Sequence, residues 1–224
     1  MQKTKIQKIL NKQELALVKK LSTPHKIQDF LDTLPFNFEL KGETYMSPRR
    51  VLREKKALCL EGVLLATLCL TYHGFKNYLL DLKVKDKFMK KDTDSDHALC
   101  IFKLNNYWGA ISKTNHSVLR WRDPIYKSIR ELAMSYFHEY FLDNGEKTLS
   151  SYSKPFDVFK KFGTGWVTEA KDLDEIALAL DKSLHLNFIP KQNLKLVRRA
   201  CYTEIVGAST VEWQRTGKRN KKVL

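Results

Sequence analysis

The chain carries little that would anchor it, staple it or bind a metal. Its most apolar stretch, GVLLATLCLTY at 62–72, is too short to cross a bilayer. The opening MQKTKIQKILNKQ is polar where a targeting signal would turn hydrophobic. The four cysteines, Cys59, Cys69, Cys100 and Cys201, show no paired spacing, and three lie inside apolar runs. That pattern argues against a disulfide framework and a closely spaced Cys/His metal site, and it fits free thiols in a reducing cytosol. No cofactor, metal or membrane partner is expected, and the chain has no internal repeat or low-complexity segment.

What is present suits a soluble, folded chain. With 224 residues, 43% of them hydrophobic, it is long enough to bury a core and reads as one domain with appendages. The net charge is +15, from 40 basic and 25 acidic residues. Such an excess suits an acidic partner or nucleic acid, yet lysine is spread along the chain, as on a solvated surface. The one dense cluster is RTGKRNKK at 215–222. A basic tail at 215–224 is therefore the place where such a partner would bind. Oligomeric state is not legible.

Periodicity divides the chain. Residues 1–21 read as one amphipathic helix through Ile6, Ile9, Leu10, Leu17 and Leu21. A second helix begins at STP, residues 22–24, and a loop with Pro35, Gly42 and Pro48 leads through PRRVLREKK to Cys59. From Cys59 to Tyr72 the sequence is apolar on every face, the mark of a central buried helix, and Gly74 stands where a left-handed C-terminal residue belongs. NYLLDLKV alternates as a strand, with Tyr78, Leu80, Leu82 and Val84 on one face, and the charged stretch 85–96 reads as an exposed loop. RDPIYKSIRELAMSYFHEYFL reads as a long helix capped by Asp123 and Pro124. Beyond 143 the signals are a serine-rich loop, a strand at GWVTEA, and helices around 172–185 and 192–205. The order argues for an α+β fold with an antiparallel sheet.

Two residues stand out chemically. Cys59 opens the buried helix directly after Arg53, Lys55 and Lys56, where the helix end and the cations would favour thiolate, and where a backbone N–H can meet an oxyanion. Cys69 and Cys100 read as small buried hydrophobes. His97 opens HALCIFKLNNYWGAISKT at 97–114, a hairpin. With Asn105-Asn106 as a two-residue turn, Leu104 faces Tyr107. One face then carries His97, Leu99, Ile101, Trp108, Ala110, Ser112 and Thr114, and the other carries Ala98, Cys100, Phe102, Gly109 and Ile111. Packing the central helix on the histidine's face would join Cys59 to His97.

These stretches, CLEGVLLATLCLTYHG (59–74), DHALCIF (96–102) and WGAIS (108–112), preceded by SPRRVLREKKALC, together resemble the transglutaminase-like core of the papain-like cysteine hydrolases, over about residues 22–125. The resemblance implies a papain/transglutaminase-like core, a central buried helix packed on an antiparallel sheet, to which the sequence pattern beyond 143 adds C-terminal helices. It also implies that Cys59 is the nucleophile and His97 the base. Family members usually place an aspartate four residues after the hairpin tryptophan; here that position is Ser112, whose hydroxyl stabilises an imidazolium less than a carboxylate would. Thr114 and Asn115 are rivals for the role, Trp108 is a candidate cleft wall, and Tyr45 is a candidate second oxyanion donor. Asp96, next to His97 in a strand, should point to the other face. His73 suits a helix C-terminus, His116 could flank the cleft, and Arg120–Asp123 suits an ion-paired corner.

The expected organisation is an N-terminal helix at 1–21, the core at 22–142, and an extension at 143–224 packed on it. The expected function is a cysteine-dependent hydrolase or acyltransferase acting on an amide bond of a protein or peptide through a thioester. The alternative is a catalytically impaired fold of the same kind that binds protein or nucleic acid.

Overall fold

The computed structural model of the chain describes residues 2–39, 42–85 and 96–209. The charged loop read at 85–96, apart from its two ends, and the basic tail at 215–224 lie outside them. Five helices come first: α1 (Gln2–Ile9), α2 (Lys12–Lys20), α3 (Pro24–Thr33), α4 (Pro48–Glu54) and α5 (Cys59–Tyr72). The first two replace the single helix expected over 1–21. Asn11 breaks it: its side chain accepts from the Glu14 N–H at 2.9 Å while Glu14 accepts the Asn11 N–H at 2.9 Å. This reciprocal cap starts a new helix where periodicity alone ran on.

Strands β1 (Lys76–Val84), β2 (His97–Leu104) and β3 (Tyr107–Ile111) follow as a meander. Asn105 and Asn106 both adopt positive φ, 48° and 70°, as a two-residue turn between right-twisted strands requires. Leu104 pairs with Tyr107 and Cys100 with Ile111, the register read from the sequence. The helix expected from Arg122 onward is instead a strand, β4 (Arg122–Tyr126), then a short helix α6 (Ile129–Met134) and a 3-10 turn at 137–139. Pro124 is tolerated because β4 is the sheet's edge, and Ser128 with Glu131 caps α6. β4 crosses so close to Gly109 that a Cβ there would stand 2.8 Å from the Arg122 carbonyl oxygen. The helical stripe from Ile125 to Tyr140 masked this change of structure.

Four further readings change. The serine-rich loop holds β5 (Leu149–Ser153), GWVTEA holds a 3-10 turn at 165–167, and the helix read over 172–185 ends early as α8 (Asp174–Asp181) before β6 (His185–Asn187). α7 (Val158–Phe162) precedes these last elements. The helix expected over 192–205 is a 3-10 run at 191–196 and then α9 (Tyr202–Ala208). The six strands form one antiparallel sheet in the order β4-β3-β2-β1-β5-β6, so the segment after 143 supplies two of its strands. The fold is α+β with an open antiparallel sheet.

Strand alternation sends apolar side chains to both faces. Leu80, Leu82, Leu99, Ile101, Trp108 and Ala110 form one core with Leu132 and Tyr136. Leu79, Ala98, Cys100, Phe102 and Ile111 form the other, under α5. The central helix therefore packs on the Cys100 face, with Thr67 Oγ1 3.2 Å from Cys100 Sγ, and not on the face shared by His97 and Leu99. Among the described residues no helix is long and apolar enough to cross a membrane.

Candidate active site

Because α5 lies on the opposite face from His97, the cysteine and histidine can approach only at the end of the strands. There β3 leaves the ladder. Ile111 is its last paired residue, and Gln28 of α3 grips the backbone of Ser112 at both polar atoms: the Ser112 N–H donates to Gln28 Oε1 at 3.0 Å, and Gln28 Nε2 donates to the Ser112 carbonyl at 2.9 Å. The next residue, Lys113, enters the helical layer. Its Nζ donates to the Leu34 carbonyl, and its Cβ lies where a Gly62 side chain would begin, 2.4 Å from the ideal position. Glycine at 62 is what lets the chain cross against the first turn of α5.

Ser112, fully buried, points its hydroxyl at His97, with Oγ 2.6 Å from Nε2. Nδ1 has no hydrogen-bond partner among the described residues. With the ring proton on Nε2 and donated to Ser112, Nδ1 is a free base. Burial lowers His97 to about 3, and the neighbouring His116 adds to the effect. The ring is therefore neutral over the whole physiological range.

Cys59 starts α5 and is half-buried. Burial pushes its thiol up to about 11; the backbone N–H groups of Ala98 and Leu60 lower it, while the Asp81 and Glu61 carboxylates raise it. The sequence expectation was a lowered value, driven by Arg53, Lys55 and Lys56. All three are exposed to solvent, Arg53 pairing with Glu54 at 3.1 Å, so burial prevails. Among the described residues no hydrogen bond joins the Cys59 sulfur to the His97 ring.

The first turn of α5 is fixed by Glu61, wholly buried within the protein. Its carboxylate accepts from the Leu58 N–H (2.8 Å), the Met46 N–H (2.9 Å), Thr44 Oγ1 (2.9 Å) and Asn37 Nδ2 (3.4 Å). Burial raises its carboxyl against these four donors, which lower it. Three of these bonds tie Asn37, Thr44 and Met46 to the turn that carries the cysteine, and the fourth caps the helix at Leu58. Sequence reasoning passed over Glu61, although a charged residue in a helix apolar on all sides was a visible signal. Gln28 left no such signal.

The other candidates lie apart. Trp108 is core, its ring 6.2 Å from Tyr78, and it sits four residues along β3 from Ser112, about 13 Å at the usual strand rise. Thr114 is buried and caps locally, its Oγ1 accepting the His116 N–H at 3.1 Å. Asn115 is half-buried in the turn that follows. Tyr45 is held by its N–H to Asp172 at 2.9 Å and by its hydroxyl to Glu43 at 3.4 Å, which leaves no oxyanion contact. Asp96 accepts the Val84 N–H at 2.8 Å, an anchor at the start of β2. His73 closes α5 through Val18. Arg122 ion-pairs with Glu139 and stacks 4.0 Å from the Tyr136 ring centre. A groove of about 720 Å³ between α2, α3 and α4 does not include Cys59, His97 or Ser112.

The buried histidine makes an acid-stability prediction. The unfolded chain takes up a proton near the ordinary value of 6.5, while the folded chain does so only near 3. Stability should therefore fall as the pH drops from 6.5 towards 3, by up to about 1.4 kcal/mol per pH unit. Denaturant titrations of wild type and His97→Gln should show the steeper loss in wild type.

No family model matches this chain, and no curated protein does.

Proposed function

We propose that the protein is a cysteine-dependent hydrolase or acyltransferase with a transglutaminase-like core, acting on an amide bond through a thioester. The observation that carries this reading is the 2.6 Å contact between His97 Nε2 and Ser112 Oγ, which with the ring proton on Nε2 leaves Nδ1 as the basic nitrogen. A base oriented through its far nitrogen, and a thiol at a helix start, are what nucleophilic attack on a carbonyl needs.

Sγ of Cys59 attacks the carbonyl carbon as its proton passes to His97 Nδ1. The oxyanion forms near the Cys59 N–H at the start of the helix. Collapse breaks the C–N bond, and the imidazolium returns its proton to the leaving amine. Water or a second amine then gives a proton to His97, attacks the thioester and releases the thiol. Burial raises the thiol and lowers the imidazole, so the resting pair is neutral and the proton moves during attack, not before it.

That same neutrality, together with the hydroxyl at 112, favours a second reading: an impaired enzyme fold that binds an acidic partner or nucleic acid. Acylation by p-nitrophenyl acetate separates the two. The enzyme reading expects a burst of nitrophenolate with one acetyl group mapped to Cys59, absent in Cys59→Ser and reduced about a hundredfold or more in His97→Ala. Acetylation no faster than a free thiol and indifferent to His97 would instead leave the binding reading.

A further inference from the structure

On β1, Leu80, Leu82 and Val84 point away from α5, and Leu79, just before them, points toward it. Asp81 alternates with Leu80 and Leu82 and so shares the α5 face. It pairs directly with Ala98, whose backbone adjoins the Cys59 thiol. A carboxylate only 5% exposed thus lies under the start of the central helix, on the cysteine's side of the sheet. Its Oδ2 is 2.9 Å from Nε2 of His185 on β6, and His185 Nδ1 is 2.7 Å from the Ser183 carbonyl oxygen.

Both partners of that imidazole are pure acceptors. A carbonyl and a carboxylate each need an N–H, so the two bonds form together only when the ring carries both protons. The hydrogen bond to Asp81 also holds His185 above its ordinary value. Protonated, His185 cancels the charge of Asp81; deprotonated, it gives up one bond and leaves that charge to be offset only by Lys83, which is already bound to Asp181. The groups facing the pair are Lys83, bound to Asp181 at 2.6 Å, and Asp96; one carboxylate oxygen from each of Asp81, Asp96 and Asp181 lies within 4.8 Å of the others. From α5, Cys59 feels the Asp81 carboxylate, and the Glu61 carboxylate acts on the same thiol.

We propose that Asp81 and His185 are a positioning pair for Cys59: with His185 protonated the pair is neutral and the thiol ionises more readily, and with His185 deprotonated the Asp81 charge holds the thiol in its protonated form. This rests on Cys59 being the nucleophile. It assigns a role to a strand, β6, that lies outside the stretch resembling the enzyme family.

The test is the rate of Cys59 alkylation by iodoacetamide, mapped by mass spectrometry on the full chain from pH 5.5 to 8.5. Removing the charge in Asp81→Asn should speed alkylation about three- to tenfold at the alkaline end, as loss of a nearby like charge does, and converge on wild type at the acid end, where protonated His185 already cancels that charge. His185→Gln should slow it by about the same factor at the acid end and converge on wild type at the alkaline end. In the Asp81→Asn background, His185→Gln should change nothing. Packing damage would accelerate both single variants and spread label to buried Cys69 and Cys100, and that result overturns the proposal. So does a ratio of His185→Gln to wild type that is flat with pH. Alkylation needs no acyl substrate, so failure of nitrophenyl ester turnover and failure of this pair are read separately.

Discussion

Ser112→Asp should make Cys59 react with iodoacetamide at pH 7 about tenfold faster than wild type, since a carboxylate at hydrogen-bond distance raises an imidazole's hold on its proton by about 1–3 pH units. The hydroxyl at 112 already sits 2.6 Å from Nε2, so the new oxygen needs no new route to the ring. Gln28 holds position 112 by its backbone N–H and carbonyl, which a side-chain exchange leaves intact. A carboxylate in this dry place is costly unless His97 takes up a proton. That coupling converts a base that now binds its proton near pH 3 into one that can hold it as the thiol ionises. The same exchange in a His97→Ala background should give no acceleration. Faster alkylation in both backgrounds would mean a loosened strand end and would sink the argument.

The second large effect concerns Glu61. Glu61→Ala should lower stability by at least about 3 kcal/mol, because each buried donor stripped of its acceptor costs about 1–3 kcal/mol and two of the four are backbone N–H groups with fixed positions. Denaturant unfolding measures the loss. Glu61→Gln keeps the shape and one acceptor oxygen, so it should fall between alanine and wild type. A loss below 1 kcal/mol for alanine would show that water replaces the carboxylate and that the loop at 37–46 is not held by it. If the loop is released, the first turn of α5 frays and Cys59 becomes accessible, so alkylation should rise along with the destabilisation.

Much of the hairpin and little of its surroundings were legible in the sequence. Asn105-Asn106 gave the turn, the turn gave the register, and the register put Ser112 diagonal to His97, because a period of two leaves no freedom once one pair is set. Which face the central helix would cover was not legible. Both faces carry apolar residues, Leu99 and Ile101 on one and Cys100 and Phe102 on the other, so alternation had no polar side to exclude. The strand β4 was hidden by a helical stripe, and β5 by its serines, whose hydroxyls find backbone partners such as the Lys83 carbonyl at 2.9 Å. Long-range pairs such as Gln28 with Ser112 and Asp81 with His185 depend on tertiary approach, which no local pattern encodes.

The strand order also has a kinetic side. β1, β2 and β3 are neighbours in both sequence and sheet, whereas β5 must reach the far edge of β1 across a stretch from 85 to 148. Contacts that close long loops form late, so the meander should be protected from hydrogen exchange before β5 and β6 in a pulse-labelling experiment. During synthesis, then, the thiol acquires its helix and its hairpin first. The buried Asp81 has to wait for the last strand to bring its counter-ion.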